Sequence, residues 1–204
     1  MPSRFLALGD SYTIGEGVAP DQRWPAQLVS RLRLHGEDTD IADPQIIATT
    51  GWTTDELAAG MDAATFTPPY ALVSLLIGVN DQYRGRGVDE YRVRFRRLLQ
   101  RAVELAGGSA AHVVVVSIPD WGVSPFAARE ARDAAVIARE IDAFNAVACV
   151  EARDAGAHWV DVTTISRAPS SRDELVQDGL HPSGAQYARW AEAILPFARN
   201  ARPD

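Results

Sequence analysis

The sequence predicts an α/β fold built on a mainly parallel sheet, and two observations carry that prediction. Short apolar runs alternate along the chain with longer segments of helical period, the pattern of repeated strand–helix units. Three of the runs, FLAL, ALVSLLI and VVVVSI, are nearly continuous rather than alternating. Strands whose two faces are both covered by helices look like this.

Taken in order, Phe5–Leu8 is the first expected strand, and Pro25–Leu34 is a helix with Leu28, Val29 and Leu32 on one side. Gln45–Thr49 is the second strand, and Thr54–Met61 a short helix. Ala71–Ile77 is the third strand. Asp89–Leu105 follows as a helix that sets Tyr91, Phe95, Leu98, Leu99, Ala102 and Leu105 at helical spacing. Its arginines, in YRVRFRRLLQR, then form the solvated face opposite that stripe. Val113–Ile118 is the fourth strand, and Arg129–Ala155 a long helix with Ile137, Ile141, Phe144 and Ala148 in line and Cys149 as a small core residue. Ala157–Val160 is the fifth strand, and Pro182–Ala198 the closing helix. No internal repeat, low-complexity stretch or linker interrupts this order, so one domain over residues 1–204 is expected.

Composition narrows the function classes. With 47% hydrophobic and 23% charged residues, the chain has the make-up of a soluble globular protein. Twenty Lys+Arg against 27 Asp+Glu give a net charge of -7, with no basic tail. That balance argues against nucleic acid or an anionic membrane surface as a partner. Cys149 is the only cysteine, which excludes an intramolecular disulfide and leaves no cysteine-based zinc site. No carboxylate cluster has metal-site spacing. The opening MPSRFLALGD lacks the apolar centre of a signal peptide, and no run reaches membrane-spanning length. A cytoplasmic protein without stable membrane insertion is expected.

In a parallel sheet, ligands bind beyond the carboxyl ends of the strands, so functional residues should follow strands directly. The first four strands are followed by GDS, TGWTT, GVND and PDWG. Ser11, in GDS, reads either as a turn residue capping the next helix or as a nucleophile. A serine nucleophile requires a base and a group that orients the base. Of the four histidines, His35 sits at a helix end where a cation is favoured, and His112 and His158 border strands as structural residues. His181 lies in DGLHP, three residues after Asp178. On one side of a helical turn, Asp178 would accept Nδ1–H and free Nε2 to take a serine proton. The plainer alternative is that Asp178 caps a turn and His181 is only a polar residue at a helix start. Acyl transfer also needs donors for a developing oxyanion. The backbone N–H groups of Ser11 and Gly51 and the side-chain amide of Asn80 are candidates. Read singly, Gly51 fits a strand-to-helix turn and Asn80 a helix N-cap.

GDSYTIGEG, Gly51 in TGWTT, GVND and DGLHP, in that order, resemble the four sequence blocks of the SGNH-hydrolase superfamily, the GDSL esterases and lipases. The resemblance runs from residue 9 to residue 182. It implies a three-layer α/β/α sandwich of flavodoxin-like type with a five-stranded parallel sheet, in agreement with the strands counted above. It also implies Ser11 as nucleophile, His181 as general acid/base and Asp178 as its orienting carboxylate. The oxyanion hole would be Ser11, Gly51 and Asn80. Tyr12 departs from the leucine in the family's name, at a position that affects packing behind the nucleophile. Asp10 and Asp81 read as loop supports.

The implied reaction is hydrolysis of a small-molecule ester through an acyl-enzyme, with no cofactor and no metal. Trp52, Tyr83, Ile118 and Trp121 adjoin the motif loops and are candidates for a substrate pocket, and the loop DWGVSPF is placed to cover it. A small crevice would suit acetyl or other short-chain esters, and a longer apolar groove lysophospholipids or thioesters. Two rivals stand beside this reading. An acyltransferase would use the same triad. A non-catalytic flavodoxin-like domain would hold a phosphate in its first loop, although neither G-x-G-x-x-G nor G-x-x-x-x-G-K-[ST] occurs there.

Overall fold

The computed structural model describes residues 3–34 and 40–200; His35 lies outside the described residues. Five strands form one all-parallel sheet in the order β2-β1-β3-β4-β5. They are β1 (Phe5–Gly9), β2 (Gln45–Ala48), β3 (Leu72–Leu76), β4 (Val113–Val116) and β5 (His158–Val160). Every residue of β1, β3 and β4 is buried, which explains why these three read as continuous apolar runs.

The helices are α1 (Ser11–Ile14), α2 (Trp24–Leu34), α3 (Thr54–Ala63), α4 (Val79–Tyr83), α5 (Val88–Leu105), α6 (Pro125–Arg129), α7 (Ala134–Ala155), α8 (Thr163–Arg167) and α9 (Gly184–Asn200). From β1 the chain first moves outward to β2, then returns past β1 to β3, β4 and β5. Right-handed crossovers in opposite directions put their helices on opposite faces of the sheet. Accordingly α2 packs on α9, while α3 packs on α5 and α5 on α7. The result is the sandwich expected. Its buried apolar residues form one continuous cluster, with Trp24, Trp190, Tyr91 and Phe95 among the largest.

The reversal makes a crevice between the exits of β1 and β3. Register brings the exits level there, since Gly9 pairs with both Ala48 of β2 and Leu76 of β3. No helix among the described residues is long and apolar enough to cross a membrane.

The helix expected over Arg129–Ala155 is broken, because Ala131 adopts φ 52° and Asp133 starts α7 afresh by accepting from Ala135 N–H at 2.8 Å. The arginines of α5 face solvent as expected, and several also reach neighbouring elements. Arg96 makes a two-pronged pair with Glu151 at 2.7 and 2.9 Å, Arg94 pairs with Asp55, and Arg101 pairs with Asp62 at 2.8 Å.

Candidate active site

A cavity of about 180 Å³ opens at the crevice, and Ser11, Gly51, Asn80 and His181 all line it. Its remaining wall includes Tyr12, Thr50, Val79, Tyr83, Trp121, Phe126 and Leu180.

Ser11 is the first residue of α1, directly after β1. The cap of that helix is Asp10, whose Oδ1 accepts from Tyr12 N–H at 3.0 Å. The hydroxyl of Ser11 is therefore not spent on capping. Backbone bonds close the turn: Asp10 O accepts from Thr13 and Ile14, and Ser11 O from Gly15 and Glu16. Gly9 is required beneath it, because a Cβ there would collide with Thr13 and sit 2.6 Å from Leu76 O. Asp10 is fully buried, and removal from water pushes its carboxyl up to about 8, against the opposing Tyr12 N–H bond and with the charge of Asp81 adding to the rise.

His181 and Asp178 meet in a turn before α9. Asp178 makes the contacts of both alternatives that the sequence left open. Its Oδ1 accepts from the N–H groups of Leu180 (2.7 Å) and His181 (3.0 Å), as a turn cap does, and its Oδ2 lies 2.6 Å from His181 Nδ1. Partial burial would raise the Asp178 carboxyl. The bonds from the His181 ring and the two N–H groups outweigh it and hold the carboxyl below its ordinary value. An ionised Asp178 keeps the proton on Nδ1, so the lone pair of the neutral ring is on Nε2. The imidazole is buried, with its centroid 5.5 Å from that of Tyr12, whose own ring packs on Trp190. The turn is anchored from outside by α6: Phe126 N–H donates to Gly179 O at 3.0 Å, and Arg129 donates to Asp178 O.

The facing wall is assembled from the exits of β2 and β3. Gly51 has φ 86°, a left-handed conformation that favours glycine. Asn80 lies inside α4, whose N-cap is Gly78, so Asn80 does not cap a helix. Its Nδ2 donates to Trp52 O at 2.9 Å, which uses one of two hydrogens and leaves the other for the cavity. Asp81, fully buried, accepts from Thr54 N–H (2.9 Å) and Thr54 Oγ1–H (2.8 Å) and thereby ties α4 to the start of α3.

Of the four aromatic and aliphatic residues expected to form a pocket, Tyr83 and Trp121 line the cavity, whereas Trp52 and Ile118 do not. The Trp52 ring turns away to lie over Gly60 of α3, and its carbonyl accepts from Asn80. Ile118 is buried in the core, with its backbone N–H and C=O both bonded to Asn145. Trp121 is fixed by donating its indole N–H to Gln82 Oε1 at 2.8 Å, and Arg132 stacks over the Trp121 and Tyr83 rings at 4.9 and 5.3 Å. Sequence reasoning missed Thr50, Val79, Phe126 and Leu180 as wall residues. Phe126 ends the DWGVSPF loop and Leu180 lies within DGLHP, so both sat inside stretches already singled out. Among the described residues no group of three or more His, Cys, Asp or Glu side chains could hold a metal ion.

The chain is similar in fold to several solved structures: TesA (21% identity, covering 98% of this chain and 99% of that one, TM-score 0.73), a lipase/acylhydrolase from Enterococcus faecalis (20%, 98% and 97%, 0.73), and the W215I form of Axe2, an acetyl xylan esterase from Geobacillus stearothermophilus (20%, 97% and 96%, 0.71). No curated protein matches. The family model of the GDSL-like Lipase/Acylhydrolase family matches residues 7–189, nearly the whole chain. That match decides against a non-catalytic binding domain. This chain belongs to the GDSL-like lipase/acylhydrolase family of serine ester hydrolases.

Proposed function

We propose that the protein hydrolyses short-chain carboxylic esters through an acyl-enzyme formed on Ser11. The observation that carries this reading is the shared cavity: Ser11, His181, Gly51 and Asn80 border one space, and His181 Nδ1 is already committed to Asp178.

Ser11 Oγ attacks the ester carbonyl as its proton passes to His181 Nε2, and the imidazolium is stabilised by Asp178. The carbonyl oxygen becomes an oxyanion, received by the N–H groups of Ser11 and Gly51 and the free Asn80 amide hydrogen. Collapse breaks the bond to the alkoxide, which leaves as an alcohol with the proton from His181. Water then gives a proton to His181 and attacks the acyl-enzyme, and the acid departs as Ser11 regains its hydrogen.

Cavity size supports the short-chain reading. At about 180 Å³ the space beside Ser11 is a small crevice. An acetyl to butyryl ester fills that space, between the walls of Val79, Tyr83, Trp121, Phe126 and Leu180. A panel of p-nitrophenyl esters from acetate to palmitate tests it. The expected result is a maximum of kcat/KM between acetate and butyrate, with at least a tenfold fall by octanoate. Ser11→Ala should lower kcat by roughly 10⁴–10⁶. A maximum at palmitate would overturn the short-chain assignment, and full turnover by folded Ser11→Ala would overturn the nucleophile.

A further inference from the structure

Gly51 carries no side chain, and a Cβ built on it would have only Arg84 Nη2, at 3.9 Å, as a neighbour. Packing therefore does not hold this residue, and a glycine left to itself populates many backbone states. What does hold it is a set of hydrogen bonds. Arg84 Nη2 donates to Gly51 O at 2.7 Å, and Trp52 N–H donates to Thr49 O at 3.2 Å. Both ends of the Gly51–Trp52 peptide are thus fixed. The following carbonyl, Trp52 O, accepts from Asn80 Nδ2 at 2.9 Å.

Asn80 and Arg84 are four residues apart, on one face of a single helical turn closed by Arg84 N–H donating to Asn80 O at 3.1 Å. Two side chains from one turn therefore grip two successive carbonyls of the loop opposite. The guanidinium is itself braced, because Nη1 lies 3.3 Å from Glu56 Oε2, and Glu56 Oε2 also accepts from Thr53 N–H at 2.8 Å. The planar fork of arginine can serve Gly51 and Glu56 together, and the point charge of lysine cannot.

We infer that Arg84 is a positioning residue for the oxyanion site: its bond to the Gly51 carbonyl fixes the Gly51–Trp52 peptide next to the plane that carries the Gly51 N–H, and together with the bond from Asn80 to Trp52 O it holds the loop that presents that donor. The inference rests on the proposed roles of Gly51 and Asn80. Arg84 touches no reacting atom and is absent from the cavity lining. Its effect belongs to the transition state, where the oxyanion forms, and not to substrate binding.

The test compares wild type with Arg84→Gln and Arg84→Lys in two measurements on the full chain. In hydrogen exchange, Arg84→Gln should speed exchange at least tenfold in residues 49–53 and leave the central strands unchanged. In p-nitrophenyl acetate hydrolysis it should lower kcat about ten- to a hundred-fold, less than loss of a whole oxyanion donor, with KM within about threefold. Arg84→Lys should recover part of kcat. Unchanged exchange in residues 49–53, or kcat equal to wild type, would overturn the inference. So would faster exchange throughout the chain together with a lowered Tm, which would assign Arg84 to fold stability. Absence of Ser11-dependent hydrolysis in wild type would instead defeat the esterase reading, and the exchange measurement would still decide whether Arg84 holds the loop.

Discussion

The two walls of the cavity are built by opposite means. The wall proposed for acid–base work is local: Asp178 and His181 lie within four consecutive residues, and one carboxylate both caps the turn and contacts the ring. The facing wall is dispersed. Ser11, Gly51 and Asn80 follow three different strands and are brought level by the register of the sheet. Asp81, Asn80 and Arg84 then tie that wall together through bonds that span 27 to 33 residues of sequence. A local device carries its geometry wherever the turn folds, whereas a dispersed one inherits the geometry of the whole sheet.

Substitutions separate these two modes. The largest effect is expected from Asp178→Asn. The amide oxygen still accepts from Leu180 and His181 N–H, so the turn persists, but the tautomer of His181 is no longer enforced. We expect kcat to fall about 10³–10⁴-fold with Tm within a few degrees of wild type; esterase kinetics and thermal unfolding on one preparation check it. Collapse of the fold would show that the turn role dominates. Asn80→Ala comes next. It removes the proposed oxyanion donor and also frees Trp52 O, and kcat should fall about 10²–10³-fold at little-changed KM. Combined with Arg84→Gln, its loss should be less than the product of the two single losses, since both side chains hold one loop. Independent multiplication of the effects would break the picture of a coupled wall.

Gly51→Ala is a milder probe. The space around it is open, so its cost comes from φ 86° alone, about 1–2 kcal/mol of stability by urea denaturation. The smallest effect on turnover is expected from Asp10→Asn, behind the proposed nucleophile. In the folded protein Asp10 holds its proton up to about 8, against an ordinary 3.8. Its contribution to stability is fully present below the ordinary value and is lost as pH rises towards about 8, because the unfolded chain releases that proton first. The Asp10→Asn variant should therefore lose less stability between those limits than wild type, as measured by urea unfolding at a series of pH values. An unchanged slope would show that Asp10 titrates as an ordinary carboxylate.

The same contrast decides what the sequence made legible. The spacing of Asp178 and His181 made their contact possible to read, but it left a turn cap as an equal alternative until the ordered set of motifs was taken together. The strands were readable because burial on both faces leaves a continuous apolar run. Gly51 and Asn80 stood out only as members of an ordered set of strand exits, since each alone resembled an ordinary turn or cap. The strand-exit rule gives a residue's place along the chain but not the direction of its side chain. For that reason Trp52 and Ile118 were expected in the pocket, while one ring lies over Gly60 and the other side chain is in the core. The break before α7 depended on the positive φ of Ala131, which its neighbours in sequence do not announce.

The seat of Trp52 on Gly60 has a consequence for anyone diversifying this enzyme. Gly60 lies in α3 and is absent from the cavity lining, so a library drawn around the pocket would omit it. Yet a single added methyl there would displace the Trp52 indole, and the Trp52 carbonyl is what Asn80 rests on. With Asn80 in its proposed role, position 60 thus reaches the site at a distance, through a side chain outside the cavity lining.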